Sequence, residues 1–311
     1  MESIALIGAS GSLGKAITSA LSAKSTPYRV IGRSESSLRA TFGADPLATI
    51  ATWNPDDPES IRQALAGIDT AIYMVGVNYW QFELHPQLMK KSLDGAISAD
   101  VKKLLLIGTV YPYGRPQTER VSEDHPRQPH TFKGRMRKEQ EDLVLAAHES
   151  GKIQTAILKL PDFYGPGVDK SFLWSAFQAA KTGKRAQLVG PIDTPHEFVH
   201  VPDAGVTVAR LIAEPGAWGS TWNLGSVGVT STRAMAEEIF AQAGHKPKFM
   251  VAGKTMLRIF GLFNPLLREM VEMHYLLTTP VILDDSRLKN LLGELPKTPY
   301  KEGIRQTLAS I

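Results

Sequence analysis

A glycine-rich turn follows the first apolar run of this chain, and it limits the fold more than any other feature. Residues 4–7 read as a short buried strand. Gly8-Ala9-Ser10-Gly11-Ser12-Leu13-Gly14 follows at once, and an amphipathic helical pattern begins there and runs to residue 24. A strand that turns this tightly into a helix opens a βαβ unit, because the helix must return the chain to a parallel neighbour. The turn also carries a chemistry. Its backbone N–H groups and the positive end of the helix converge on one point, which suits a pyrophosphate. Gly8 makes the tight turn, Gly11 leaves room for the diphosphate, and Gly14 lets helix and strand approach. Ser10, Ser12 and Leu13 complete the cradle for a dinucleotide.

The second apolar run, 28–31, leads into Gly32-Arg33-Ser34. A site selective for NAD usually has a carboxylate here to accept the ribose hydroxyls. Arg33 and Ser34 instead offer a cation and a donor, which suit a 2′-phosphate. The expected cofactor is therefore NADP(H) in preference to NAD(H).

Further apolar runs at 70–75, 103–107 and 155–160 alternate with helical patterns at 58–66, 85–99 and 136–150. Runs this short and this continuous are expected of strands buried on both faces of a parallel sheet. Asp57 is placed to cap the helix that Pro58 opens. The alternation predicts an α/β fold, a Rossmann-type doubly wound parallel sheet, over residues 1–165. Beyond that point Pro and Gly become frequent and strict alternation ends. Residues 166–311 are expected to form a smaller mixed α/β substrate-binding region, packed on the sheet and returning some chain to it. Within it Met256, Ile259, Phe260, Phe263, Met270 and Met273 either line an apolar pocket or belong to the ordinary core.

Composition excludes several classes of function. There is no cysteine, so disulfides, thiolate metal sites and a cysteine nucleophile are out. The 35 basic against 31 acidic residues leave a net charge of only +4, too small and dispersed to suggest nucleic acid. No apolar run reaches the ~18 residues of a membrane span, and the first residues lack a signal-peptide pattern. The expectation is a soluble, cytoplasmic protein with a small-molecule substrate and neither a nucleic-acid nor a membrane partner. His196 and His200 lie four apart on a strand reading, too far for one metal ion, and His125 and His130 flank a Pro-rich loop.

Six landmarks stand in order: GASGSLG at 8–14, NPDDPES at 54–60, IDTAIYMVG at 68–76, IGTVYPYG at 107–114, LPDFYGPG at 160–167 and HEFVHVPDAG at 196–205. With them the chain resembles the extended short-chain dehydrogenases/reductases of the NAD(P)-dependent epimerase/dehydratase-like branch, over nearly its whole length. The resemblance implies that Asn54 stands near the adenine, Val75 and Gly76 near a ribose, and Pro161 beside the nicotinamide. It also implies a homodimer through the helix at 136–150.

That family usually works with a Tyr-x-x-x-Lys pair and a Ser or Thr. Thr109 stands at the hydroxyl position. Lys133 stands in the Tyr place and Arg137 in the Lys place. Arg137 can hold the nicotinamide ribose by charge, but it cannot shuttle a proton. Lys133 is either a general acid/base with a lowered pKa or a surface lysine. Tyr111 is a second candidate proton donor. If the strand end stays extended, alternation puts it on the same side as Thr109, where Arg137 or Lys133 would steady a phenolate. The other reading packs its ring under the loop. Asp162, Tyr164 and His196 are candidates to touch substrate, Tyr164 alternatively being part of a structural Tyr-Gly-Pro. His196-Glu197-Phe198 occupies the place where nucleotide-sugar relatives carry an Arg, so a nucleotide-sugar is not expected. Asp203 is expected to cap the helix after it. The implied activity is an NADP-dependent oxidoreductase with an atypical catalytic set, acting on a small, partly apolar carbonyl or alcohol. Two rivals are an epimerase or dehydratase that uses bound NAD(P) transiently, and a dinucleotide-binding sensor without chemistry.

Overall fold

The structure is a computed structural model that describes residues 2–311. Its first half alternates strand and helix: β1 Ile4–Ile7, α1 Ser12–Ser22, β2 Tyr28–Gly32, α2 Glu35–Phe42, β3 Ala48–Thr52, α3 Pro58–Leu65, β4 Thr70–Tyr73, α4 Leu84–Ser98, β5 Lys103–Thr109, α5 Phe132–Glu149 and β6 Gln154–Leu160. The sequence pattern missed α2 and β3. The strand Ala-Thr-Ile-Ala-Thr lies at the sheet edge, half exposed, and so lacks the continuous apolar run that marks a buried strand. Asp57 caps α3, its carboxylate accepting the Glu59 N–H at 3.1 Å. Helix α5 begins earlier than its apolar pattern suggests, because the Thr131 hydroxyl accepts the Gly134 N–H at 3.0 Å and so starts the helix.

The later chain adds β7 Asp162–Tyr164, α6 Trp174–Lys181, β8 Ala186–Val189, β9 Pro195–His196, β10 Phe198–His200, α7 Val201–Leu211, β11 Thr221–Asn223, β12 Thr230–Ser231, α8 Thr232–Gln242, β13 Phe249–Ala252, α9 Lys254–Phe260 and α10 Pro265–Met273. Strand β11 returns to the main sheet. The result is seven parallel strands in the order β11-β6-β5-β4-β1-β2-β3. The other strands form three small pairs, β7 with β10, β8 with β13 and β9 with β12.

Both faces of the sheet are covered. On one, Leu6, Val30, Ile72, Leu105 and Leu158 pack with Ile17 of α1 and Val208 of α7. On the other, Ile7, Tyr73 and Leu106 pack with Ile61, Met89, Leu93 and Val144 from α3, α4 and α5. Each such side chain, fully buried, contributes about 1.5–3 kcal/mol. A third cluster around Phe177, Leu188, Phe198, Ile239 and Phe240 holds the later region together.

Two expectations change. Asp203 does not cap α7. It sits in the first turn, and its carboxylate accepts the Thr298 N–H at 2.6 Å and the Thr298 hydroxyl at 2.8 Å, tying the helix to the C-terminal chain. The apolar stripe of α9 and α10 is neither core nor pocket lining as a unit. Met273 is buried, but Ile259, Phe260 and Phe263 are exposed.

Helices α1 and α7 cross so closely that a Cβ on Gly205 would lie 2.5 Å from the Ala16 carbonyl carbon. Backbone cannot yield as a side chain can, so Gly205→Ala should destabilise the fold by about 1–3 kcal/mol. The measurement is the urea midpoint at unchanged m-value; a wild-type midpoint would show that the crossing has slack.

Candidate functional site

The turn after β1 is built by two steric demands. Gly8 has φ +86°, its N–H donates to the Ile31 carbonyl at 2.9 Å, and a Cβ on it would lie 3.0 Å from the Val75 backbone. The turn is thus tied to β2 and pressed against the loop after β4, which brings Val75 and Gly76 beside it. A Cβ on Gly14 would lie 2.0 Å from the Ala9 carbonyl oxygen, so only glycine lets α1 start this close. Gly11 is different. It is the N-cap of α1, no side chain caps the helix, and a Cβ there would meet nothing within 4 Å. The first N–H groups of α1 therefore face open space, as a pyrophosphate requires. Ser10 is exposed there and Ser12 half-buried, while the Leu13 side chain belongs to the core.

Arg33 and Ser34 follow β2 and are exposed. The Ser34 hydroxyl oxygen accepts the Ser37 N–H at 3.3 Å as the cap of α2, which leaves its own hydrogen to donate. Asn54, after β3, is exposed, and its side-chain oxygen accepts the Asp56 N–H at 3.0 Å in the turn that opens α3. These residues fit a dinucleotide laid across the C-terminal ends of the strands.

The next strand end carries a phenol pair. Strand β5 stops at Thr109, Val110 turns helical (φ −73°, ψ −11°), and Tyr111–Tyr113 forms one 3-10 turn. The extended strand end expected from the sequence is therefore absent, because Pro112 and the helical Val110 bend the chain. Alternation does not relate Thr109 to Tyr111. The turn does so instead, the Thr109 hydroxyl oxygen accepting the Tyr111 N–H at 3.4 Å. The Tyr111 hydroxyl lies 2.7 Å from that of Tyr79, and the Phe82 ring stacks on Tyr111. Tyr79 was not singled out in the sequence. Its signal was an aromatic pair, Tyr79-Trp80, in the loop leaving the fourth strand. Burial holds both phenols above the usual tyrosine range, Tyr111 well above it, and the charge of Asp162 adds to this against the opposing charge of Arg137.

Asp162 follows the buried Pro161 where β6 ends, and its carboxylate lies 2.8 Å from Nε2 of His196. Tyr164 points elsewhere. It is buried against the rings of His200 and Tyr300, and its hydroxyl finds no hydrogen-bond partner among the described residues. Its surroundings are those of a packed core ring, which is its structural alternative. Glu197 is also taken up internally, accepting the Leu283 N–H at 2.8 Å and the Ser226 hydroxyl at 3.2 Å.

Lys133 is fully buried, so it is no surface lysine. Its ammonium pairs with Glu269 and, at 2.8 Å, with Glu272, both on α10, and the Glu272 carboxylate also accepts the Lys133 N–H at 3.1 Å. The rings of Phe82 and Tyr79 lie 5.6 and 5.8 Å from the ammonium. A cation with two carboxylates is a pin between α5 and α10. Arg137 is likewise committed. One guanidinium nitrogen lies 3.1 Å from Nδ1 of His85, and another donates to the Ile107 carbonyl at 3.2 Å. Burial, helped by that positive charge, pushes His85 down to about 2, so the imidazole is neutral and accepts. Arg137 braces α4 against β5 with two of its five N–H groups, and the other three remain to act toward a ribose.

A sequence model described as the NAD dependent epimerase/dehydratase family matches residues 4–225. A 4-hydroxy-2-methyl-3-oxo-4-farnesyl-3,4-dihydroquinoline-1-oxide ketoreductase of Stigmatella aurantiaca is 27% identical over 96% of this chain and 93% of its own length. A 3beta-hydroxysteroid-dehydrogenase/decarboxylase of Arabidopsis thaliana, isoform 2, is 25% identical over 55% of this chain, which spans only 34% of that relative's length. Among solved structures, dTDP-glucose 4,6-dehydratase of Bacillus anthracis in complex with NAD superposes with a TM-score of 0.82 at 14% identity, covering 100% of this chain and 96% of the other. UDP-glucose 4-epimerase of Thermotoga maritima with UDP-glucose gives 0.79 at 15% identity, covering 99% and 98%. At such identities the structures speak for the fold alone.

Because a side chain at position 11 would project into open space, Gly11→Val should leave the fold intact and fill the volume in front of α1. Dinucleotide binding should be abolished with little change in melting temperature. Unchanged NADPH affinity in titration would show that the cofactor lies elsewhere.

Proposed function

The chain belongs to the NAD dependent epimerase/dehydratase family, and within it we propose an oxidoreductase that prefers NADP(H) and interconverts a ketone and a secondary alcohol on an apolar small molecule. The observation that carries the reading is the phenol pair, Tyr111 and Tyr79 at 2.7 Å, at the strand ends beside the glycine turn. When bound, the nicotinamide supplies or accepts the hydride. Everything else falls to this chain. The turn at 8–14 holds the pyrophosphate by its backbone N–H groups. Arg33 and Ser34 take the 2′-phosphate. Thr109 donates to the substrate oxygen and fixes its position. Tyr111 hands its proton to the oxygen as the carbon is reduced, Tyr79 hands its own on to Tyr111, and Tyr79, partly exposed, regains a proton from solvent.

Environment decides the protonation state of Tyr111. A phenol held well above its usual range by burial, by Tyr79 and by Asp162 stays protonated at working pH, so the form that can give a proton to a ketone oxygen is the one present. Arg137 cannot exchange a proton, and Lys133 is locked to α10. The apolar character of the substrate is supported by the Tyr79, Phe82 and Tyr111 rings around the site. It is also supported by the relatives, whose names describe a farnesyl-bearing quinoline and a hydroxysteroid. A nucleotide-sugar is disfavoured, because no cation stands at His196-Glu197-Phe198: the histidine faces Asp162 and the glutamate is buried in a latch.

For the cofactor, Arg33→Ala should weaken NADPH by about 1.5–3 kcal/mol, the range for a hydrogen bond to a charged group, and leave NADH nearly unchanged. Equal wild-type affinities for the two would remove the preference.

For the chemistry, steroid-like and isoprenoid ketones should be reduced, and UDP- and dTDP-sugars left untouched. Tyr111→Phe should lower turnover by about 10²–10⁴-fold with cofactor affinity retained, whereas Lys133→Met should act mainly on stability. Because the phenol is raised, reduction by the wild type should hold level from neutral pH up to the ordinary phenol value of 10.0, and alcohol oxidation should rise with pH. A Tyr111→Phe enzyme that turns over like the wild type would refute the assignment.

A further inference from the structure

The exposed large apolar side chains are not scattered. Among the described residues seven of the twelve, Met250, Val251, Ile259, Phe260, Leu262, Phe263 and Leu266, fall within one stretch of seventeen residues, on β13, α9, the turn after it and α10. Leu262 is 77% exposed and Phe263 86%. Single exposed leucines are ordinary, but a contiguous apolar surface of this kind marks a place that something else covers.

The tip is built to project. Helices α9 and α10 form a hairpin in which a Cβ on Gly261 would lie 2.8 Å from the Arg268 backbone, so the two helices meet closely at the turn. The Asn264 side chain caps α10 by accepting the Leu266 and Leu267 N–H groups at 3.0 and 3.3 Å. Leu257 and Met273 are buried and anchor the base. Leu262 and Phe263 lie between two fixed helix ends.

Charge is sorted across the same hairpin. Residues 239–268 contain Lys246, Lys248, Lys254, Arg258 and Arg268 and no Asp or Glu. The first acids after them, Glu269 and Glu272, turn inward to Lys133. Lys246, Lys248, Lys254 and Arg258 make no ion pair among the described residues, and Arg268 has only a 3.8 Å approach to Glu269. The outer surface therefore presents apolar side chains flanked by cations without ion-pair partners among the described residues.

We propose that the α9–α10 hairpin docks on the surface of an anionic lipid bilayer, with Phe260, Leu262, Phe263 and Leu266 entering the headgroup–acyl boundary and Lys254, Arg258 and Arg268 meeting the phosphates. Such docking needs no spanning helix. It revises the sequence-based expectation of no membrane partner, which rested only on the absence of a long apolar run. It is independent of the reaction proposed above, since none of the tip residues touches the phenol pair.

The test uses the whole chain and unilamellar vesicles of phosphatidylcholine, with and without phosphatidylglycerol. The wild type should sediment with the anionic vesicles, weakly with the neutral ones, and be released by high salt. The double substitution Leu262→Ser/Phe263→Ser should abolish sedimentation, and Arg258→Glu should weaken it about tenfold. Unchanged NADPH affinity in both variants would show an intact fold. Wild-type protein that stays in the supernatant with anionic vesicles would overturn the proposal. So would sedimentation that the double variant retains. If the wild type instead forms a dimer in solution that Leu262→Ser/Phe263→Ser splits, and ignores vesicles, the surface belongs to a second copy and the lipid reading is wrong.

Discussion

In a parallel sheet every strand points its C-terminal end to the same edge, and that constraint gathers the site. Gly8, Arg33, Asn54, Val75, Thr109 and Pro161 follow six successive strands and are separated by some 150 residues of chain. They reach one edge because each crossover helix restarts the next strand from the opposite side. The order of the strands then sets the neighbours. Strand β4 lies between β1 and β5, so the loop after it touches the glycine turn through Val75 and the phenol of Tyr111 through Tyr79. One loop thus links the place for a cofactor to the place for a reaction.

A second constraint comes from charge in the interior. Where the family usually carries a tyrosine this chain carries Lys133, and α5 and the rings of Phe82 and Tyr79 bury it. A buried ammonium without partners is costly, several kcal/mol even after relaxation. Glu269 and Glu272 reach in from α10 and supply the partners. The buried cation therefore couples the helix beside the phenols to the hairpin that carries the exposed tip.

The fold and the glycine turn after its first strand were legible for a physical reason. Buried strands must be nearly all apolar, and a helix that starts against a strand must have glycine where Gly14 stands. Strand β3 and helix α2 escaped because an edge strand and a short polar helix carry no such demand. The reaction side was harder to read. Lys133 depends on carboxylates more than 130 residues away, and no local pattern announces Glu269 or Glu272 as its partners. Tyr111 was visible, but the geometry inferred for it was not the real one, since Val110 and Pro112 end the strand early. Tyr79 belongs to a loop whose conformation the sequence does not fix. Asp203 drew attention as a helix cap, yet its partner Thr298 lies near the other end of the chain.

The surroundings of Tyr111 bear on which family reaction suits this chain. An epimerase or dehydratase that borrows a hydride and returns it needs a proton carrier able to take a proton in one half-reaction and give it in the other. That requires a phenol whose two states lie close in energy near working pH, and a nearby flexible cation is the usual means. Here the cation at that place is Arg137, held by His85 and the Ile107 carbonyl, and its pull on Tyr111 is outweighed by burial, by Tyr79 and by Asp162. The anionic state is strongly disfavoured, so Tyr111 rests as the neutral phenol. That is the form a ketone oxygen needs as hydride reaches its carbon. A cycle that borrows a hydride and returns it would have to stabilise the phenolate as well, and the balance of charges around Tyr111 does not do so.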